Sequence, residues 1–84
     1  KIKMKKSEII AKAEWNLMEA TFSDPIVNTS KPVQNAIEMC DAPLDAMRNT
    51  ECLVTFNNAY RLFYKRLDWA YETIKIKNNL KINA

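Results

Sequence analysis

Hydrophobic residues recur at helical spacing over most of the 84-residue chain. In the first segment, residues 7–23, apolar positions follow one another at intervals of three and four, as on one face of a helix. Ser7 is the predicted N-cap, and Asp24-Pro25 ends the segment because a residue before proline is driven out of the α conformation. The predicted buried stripe consists of Ile10, Ala13, Leu17 and Ala20, widened by Ile9, Met18 and Phe22.

A second helix follows a short connector. Ser30 or Lys31 caps it, and Pro32 falls in its first turn, where the missing N–H is not needed. Pro43 either kinks this helix while the same side stays buried, or begins a separate short helix at residues 43–49. The predicted inner row, which keeps its spacing across the proline, consists of Val33, Ile37, Cys40, Leu44 and Met47.

The longest predicted element runs from Glu51 to about Lys77. Projected at 100° per residue, its apolar side chains cover one wide face, which we expect to pack in the core. This predicted core face comprises Cys52, Leu53, Phe56, Ala59, Tyr60, Phe63, Tyr64, Leu67, Ala70, Tyr71 and Ile74. Leu62, Trp69 and Ile76 lie on the opposite side of the helix, seven residues apart, and are called the outer stripe below.

The outer stripe has two interpretations. If the other helices flank the long helix on two sides, the stripe is part of the core. Otherwise it is a surface for a partner, with Trp69 as anchor and Lys65 and Arg66 beside it, because Trp and Arg dominate binding hot spots. The sevenfold spacing also suits packing against another helix, including that of a second copy of the chain.

The fold class predicted from these elements is all-α. It is a small three-helix bundle, or four helices if residues 43–49 form one of their own, with the long C-terminal helix as its spine. The chain contains no glycine, which disfavours tight hairpins and therefore a β-sheet protein. We expect one domain over residues 1–84, with a basic N-terminal tail at 1–6 and a C-terminal tail at 78–84.

Cys40 and Cys52 are the only cysteines. Two thiols without histidine cannot complete a four-ligand zinc site within a monomer. Two free buried thiols are one alternative. We favour a disulfide, because Pro43 and the Asn49-Thr50 pair would let the chain reverse and bring the Cα atoms within about 7 Å. Closing this loop would contribute about 3 kcal/mol.

The redox state of the cysteines bears on location. A disulfide would indicate a secreted or periplasmic protein, whereas reduced thiols would indicate a cytoplasmic one. The chain begins with Lys1 rather than Met, which fits either a processed product or a chain whose start has been removed. No apolar run approaches the roughly 18 residues of a membrane-spanning helix, so no membrane span is expected.

Residue types that support common catalytic sites are missing. The chain has no histidine, the commonest general base, and without glycine it has no phosphate-binding loop and no dinucleotide fingerprint. We therefore expect no enzyme, no cofactor and no metal. The predicted function is a small non-catalytic protein-binding module of the inhibitor, immunity or effector type. The predicted partner-binding residues are Leu62, Lys65, Arg66, Trp69 and Ile76.

Two other functions remain open on the sequence. A carrier of small apolar ligands or lipids would line an interhelical cavity with the aromatic third helix. A nucleic-acid accessory factor would use Arg61, Lys65 and Arg66, although Asp68 and Glu72 share that side of the helix and a duplex binder usually has an unbroken basic stripe. The formal charge of +3 comes from basic chain ends around an acidic middle, so solvated ends explain it without nucleic acid.

Overall fold

The computed structural model describes residues 5–82, and over this range the chain forms four α-helices and one 3-10 turn, with no β-strand. The all-α prediction is confirmed. The helices are α1 (Lys6–Thr21), α2 (Lys31–Glu38), α3 (Asp41–Asn49) and α4 (Leu53–Ile82), and the 3-10 turn is Pro25–Asn28.

The long helix α4 is the central element of the fold. Its 30 residues give it a length of about 45 Å, close to the longest dimension of the molecule, 49 × 22 × 17 Å. The other helices pack along one side of it, so a single row of α4 residues, spaced by three or four, reaches the core once in every helical turn. The core residues that α4 contributes are Phe56, Ala59, Phe63, Leu67, Ala70 and Ile74.

The helices α2 and α3 follow each other with only Met39 and Cys40 between them. The Cys40 N–H donates to the Ile37 carbonyl at 3.0 Å, and the Leu44 N–H donates to the Cys40 carbonyl at 3.2 Å. Pro43 lies in the first turn of α3, where its missing N–H costs nothing. The whole predicted inner row is buried: Val33, Ile37, Cys40, Leu44 and Met47.

Helix α1 begins earlier than predicted, with Lys5 rather than Ser7 at the N-cap position. The Glu8 carboxylate accepts a hydrogen bond from the Lys5 N–H at 3.3 Å, which satisfies one donor of the first turn. Ala13 and Ala20 are completely buried. Because both side chains are small, they let α1 approach its neighbours closely.

Two residues assigned to the buried stripe of α1 are exposed instead. Met18 is 51% exposed and Phe22 is 81% exposed. Both project from the side of α1 opposite to Ala13, at about 140° and 180° around the helix. They therefore could not widen a stripe that is centred on the alanines.

The core face of α4 is also narrower than predicted. Leu53, Tyr60 and Tyr71 are 40–71% exposed, and Cys52 is exposed as well. The partner helices explain the difference: α1, the longest of them, has 16 residues and a length of about 24 Å, half that of α4. Such short partners leave Leu53, at the start of α4, uncovered. Tyr60 and Tyr71 are exposed because they lie about 40–60° around α4 from Phe56, at the edge of the predicted face.

At its far end α4 continues to Ile82, five residues beyond the predicted end at Lys77. Asn78 donates from Nδ2 to Asp24 Oδ2 at 2.7 Å, and Asp24 Oδ1 accepts from the Ile26 N–H at 2.9 Å. These two bonds join the last turns of α4 to the 3-10 turn. Most of the predicted basic tail, residues 1–4, lies outside the described residues.

The predicted Cys40–Cys52 disulfide is not formed, and both thiols are free. Cys40 is buried just before α3, and Cys52 is exposed just before α4. The nine residues of α3 carry the chain about 13 Å between them, beyond the roughly 7 Å that a bridge permits between Cα atoms. The chain reverses direction only after α3, where it is already about 13 Å from Cys40. A secreted or periplasmic location was predicted from this bridge and therefore has no support from a disulfide.

Candidate protein-binding surface

The outer stripe of α4 is accessible to solvent. Leu62 is 40% exposed, Trp69 is 54% exposed and Ile76 is 47% exposed. They lie about 200–240° around the helix from Phe56, which is in the core. Because α1, α2 and α3 all pack on the other side of α4, the interpretation of the stripe as core is wrong for the monomer.

The two basic residues predicted beside Trp69 have different surroundings. Lys65 is exposed, on the solvent side of the stripe. Arg66 is partly buried and donates from Nη1 to the Met39 carbonyl at 2.8 Å. A cation at this place satisfies a carbonyl at the C-terminal end of α2 and stabilises the helix dipole there. Arg66 therefore holds α2 against α4, and any contact with a partner comes from the rest of its surface.

Leu80 lengthens the apolar surface and was missed in the sequence. It is 59% exposed and falls four residues after Ile76, at about 240° around the helix from Phe56. Because the helix was predicted to end at Lys77, Leu80 was assigned to a tail. The outer stripe together with Leu80 extends over 19 residues, or about 27 Å of α4.

A shallow groove borders the outer stripe where α3 meets α4. Its volume is about 330 Å³ and it is open to solvent. Leu62 and Arg66 form part of its α4 wall, and Pro43 forms part of its α3 wall. The complete lining is Ala42, Pro43, Ala46, Thr55, Asn58, Ala59, Leu62 and Arg66. Most of these side chains are apolar and small, so the groove extends the apolar surface of the stripe sideways onto α3.

A second apolar surface lies on the solvent side of α1. Its members are spaced by four, three and four residues, a pattern that places them within about 60° of one another on the helix. These residues, the α1 outer row, are Ala11, Trp15, Met18 and Phe22, and all are exposed. The spacing was visible in the sequence, but α1 has apolar residues on two faces, and periodicity does not say which face is buried.

Acidic side chains border the α1 outer row at the α1–α3 junction. Arg48 donates to Glu14 Oε2 from Nη2 at 2.6 Å and to Asp45 Oδ1 from Nη1 at 2.6 Å. These partners, the Glu14 hydrogen bond first, raise the pKa of Arg48. All three groups are solvent-exposed, so the cluster orients α3 relative to α1 and contributes little to stability.

Cys52 is the most reactive thiol that the structure provides. The Thr55 hydroxyl and the backbone N–H groups of Thr55 and Val54 donate hydrogen bonds to its sulfur, and together they lower the pKa of Cys52. Lys6 lies at the same open depression, which has a volume of about 200 Å³. Its ammonium group is 5.4 Å from the centre of the Phe56 ring.

Alkylation should distinguish the two thiols. Cys52 is exposed and its pKa is lowered, whereas burial, and to a lesser extent Asp41, raises the pKa of Cys40 to about 11. We expect iodoacetamide at pH 7.5 to modify Cys52 about 100-fold faster than Cys40, because Cys40 reacts only when the core opens. Peptide mass spectrometry measures both rates, and Cys52→Ser is the control. Equal rates, or a mass two hydrogens lower without reductant, would contradict the described thiols.

Between residues 5 and 82, no cluster of three or more cysteine and acidic side chains is placed to hold a metal ion. Over the same residues, no helix combines the length and the apolar character that crossing a bilayer requires.

No protein-family model, curated protein or solved structure matches this chain. Its own surface is therefore the basis for any functional proposal.

Proposed function

We propose that this chain is a small non-catalytic protein-binding module, which acts through the helical surface formed by the outer stripe of α4. An inhibitor, an immunity protein and an effector are the kinds of protein that work in this way. The proposal rests on one observation: Trp69 is 54% exposed in the middle of an apolar stripe, on a helix whose other side is already packed.

Energetics support this surface as a binding site. Exposing large apolar side chains in a row gives no benefit to the isolated monomer, because each could be polar without loss of packing. Burial of a tryptophan at an interface, by contrast, is among the strongest single contributions to binding. Trp69 has Leu62 and Ile76 one heptad away on either side, so a partner helix could bury all three at once.

Neither alternative function gains a specific observation. A lipid carrier needs an enclosed cavity, whereas the depressions described above are open grooves at the surface. A nucleic-acid factor needs a continuous basic surface, but Asp68 and Glu72 remain exposed among Arg61 and Lys65 on α4. We therefore keep protein binding as the proposed function.

Photo-crosslinking in the native source tests the proposal. A benzophenone amino acid in place of Trp69 should give a discrete adduct with a protein, because the side chain would be buried in the interface. The matched control is the same substitution at Asp68, which is exposed and adjacent in sequence but about 100° away around the helix. We expect the adduct at position 69 to exceed that at 68 by about tenfold.

The outcome is decisive only if both variants are folded, which circular dichroism establishes. Since Trp69 and Asp68 are both exposed, neither substitution should shift the stability by more than about 1 kcal/mol. Adducts of equal yield at the two positions, or none at position 69, would contradict the proposed function.

A further inference from the structure

We propose that the partner of the outer stripe is a second copy of this chain, bound antiparallel through α4 with Trp69 at the two-fold axis. This inference rests on the proposed function and adds the identity of the partner to it. A two-fold interface requires a surface that is complementary to itself. The following features of α4 provide that complementarity.

The apolar residues of the stripe are symmetric about Trp69. Leu62 precedes it by seven residues and Ile76 follows it by seven. In an antiparallel pair centred on this residue, Leu62 lies opposite the partner's Ile76, and Trp69 packs against the partner's Trp69. The stripe also drifts by about 20° per seven residues around α4, as expected for helices that cross at about 20°.

The charged residues beside the stripe are placed nearly symmetrically about Trp69 and have opposite signs. Lys65 and Glu72 lie on its solvent side, four residues before Trp69 and three after it, and both are exposed. Neither is among the ion pairs found within residues 5–82, which all involve Arg48. On α4 they are seven residues, about 10 Å, apart. Antiparallel pairing places Lys65 opposite the partner's Glu72, and the same contact occurs a second time by symmetry.

A parallel pair would lack this complementarity. The other border of the stripe is formed by Arg66 and Thr73, which lie about 60° and 40° around α4 from Trp69, and both are at least partly buried. In parallel coiled coils the two borders face each other, so Lys65 would face the partner's Arg66, which has the same charge, and Glu72 would face the uncharged Thr73. A parallel arrangement would also bring together the basic C-terminal ends of both helices, with Lys75 and Lys77 on each.

The α3–α4 groove offers a place for the end of the second helix. In the antiparallel pair, Leu80 of one copy comes opposite Asn58 of the other, and Asn58 lines the groove. At about 330 Å³ the groove is large enough for a leucine side chain, and Pro43 and Ala46 would contact it. This contact would also bury Leu80, which is 59% exposed in the single chain.

The interface is short, so the dimer should be weak. Two helices in contact over about 33 Å, from Asn58 to Leu80, bury less than the roughly 1,200 Å² of a standard interface. We therefore expect the dimer to dissociate on dilution, with a change in mass between about 10 µM and 1 mM of protein. Sedimentation equilibrium over this range measures its dissociation constant.

A charge-reversal experiment tests the geometry. Lys65→Glu alone puts two carboxylates together twice per dimer, and Glu72→Lys alone does the same with two ammonium groups. We expect each single variant to raise the dissociation constant about tenfold. The double variant Lys65→Glu/Glu72→Lys restores opposite charges at both contacts and should return to within about threefold of the original value. Lys31→Glu, at the start of α2, makes the same change of net charge away from the interface and should have no effect.

Each result separates the two proposals. The proposal that a second copy is the partner would be overturned in two cases. One is a chain that stays monomeric up to 1 mM, and the other is a double variant whose dimer dissociation constant is no lower than that of the single variants. If the benzophenone amino acid at position 69 still crosslinks a different protein in that case, the result supports the proposed function. Adducts that contain only this chain, together with rescue in the double variant, would support both.

Discussion

Replacing Phe63 with alanine should lower the free energy of unfolding by about 3–5 kcal/mol. Phe63 is completely buried at the place where α1, α3 and α4 meet, in one cluster with Ala13 and Met47. Its ring also packs edge-on against Tyr64 with 5.0 Å between centroids. The substitution removes that apolar surface and leaves a cavity that rigid helices cannot close. A domain of this size has a total stability of about 5–10 kcal/mol, so the variant should be close to unfolding at 37 °C.

Phe22→Ala is the matched control for this prediction. It deletes the same side chain from a position that is 81% exposed. We expect a change of less than about 0.5 kcal/mol, because little apolar surface is lost from the core. Urea unfolding followed by circular dichroism measures both variants. A loss of less than 1.5 kcal/mol for Phe63→Ala would contradict its central position, and a large loss for Phe22→Ala would show that the α1 outer row is packed.

Stability should fall steeply between about pH 9 and pH 11. Burial, and secondly the nearby Asp41 carboxylate, raises the pKa of Cys40 from 9.0 to about 11 in the folded chain, although Arg66 opposes the shift. The unfolded chain therefore loses this proton at lower pH than the folded chain. The stabilisation is fully present below pH 9 and is lost as the pH rises to about 11, and it amounts to about 2 kcal/mol.

Cys40→Ala isolates this effect. Burial also raises the pKa values of Tyr64 and Tyr71, so the original chain and the variant both lose some stability at high pH. The difference in the free energy of unfolding between the original chain and Cys40→Ala should shrink by about 2 kcal/mol from pH 8.5 to 11, because only the original chain has the buried thiol. Chemical unfolding at a series of pH values gives this difference. If the free energy of unfolding depended on pH in the same way for the original chain and for Cys40→Ala, the result would contradict a buried, protonated Cys40.

The parts of the fold that could be predicted depend on neighbours in sequence. The inner row from Val33 to Met47 was predicted across Pro43 because its members keep the helical spacing of four and three residues. It stays on one side because Met39 and Cys40, between α2 and α3, keep helical backbone angles. Helix starts were predicted less well. Ser7 was taken as an N-cap on residue type alone, whereas α1 begins at Lys6, where Glu8 can reach back to the Lys5 N–H.

The candidate surface was only half predicted, for a related reason. The seven-residue spacing of Leu62, Trp69 and Ile76 identified a separate face of α4, but whether another helix covers that face depends on where α2 and α3 pack. On α1 the same ambiguity produced an error, since Met18 was assigned to the core and is exposed. Apolar rows on two faces of one helix have equal hydrophobic periodicity, and only tertiary contacts distinguish them.

The sequence by itself determined the helical class, the buried row of α2 and α3, and the seven-residue spacing of the outer stripe. These features follow from local backbone geometry, which relates residues three, four and seven positions apart. Only the tertiary structure decided that Cys40 and Cys52 remain apart, that the outer stripe is exposed, and that Lys65 and Glu72 lie beside it without a partner within the described chain. These outcomes depend on which helices touch and over what length, and the short helices α1, α2 and α3 cover only one side of α4.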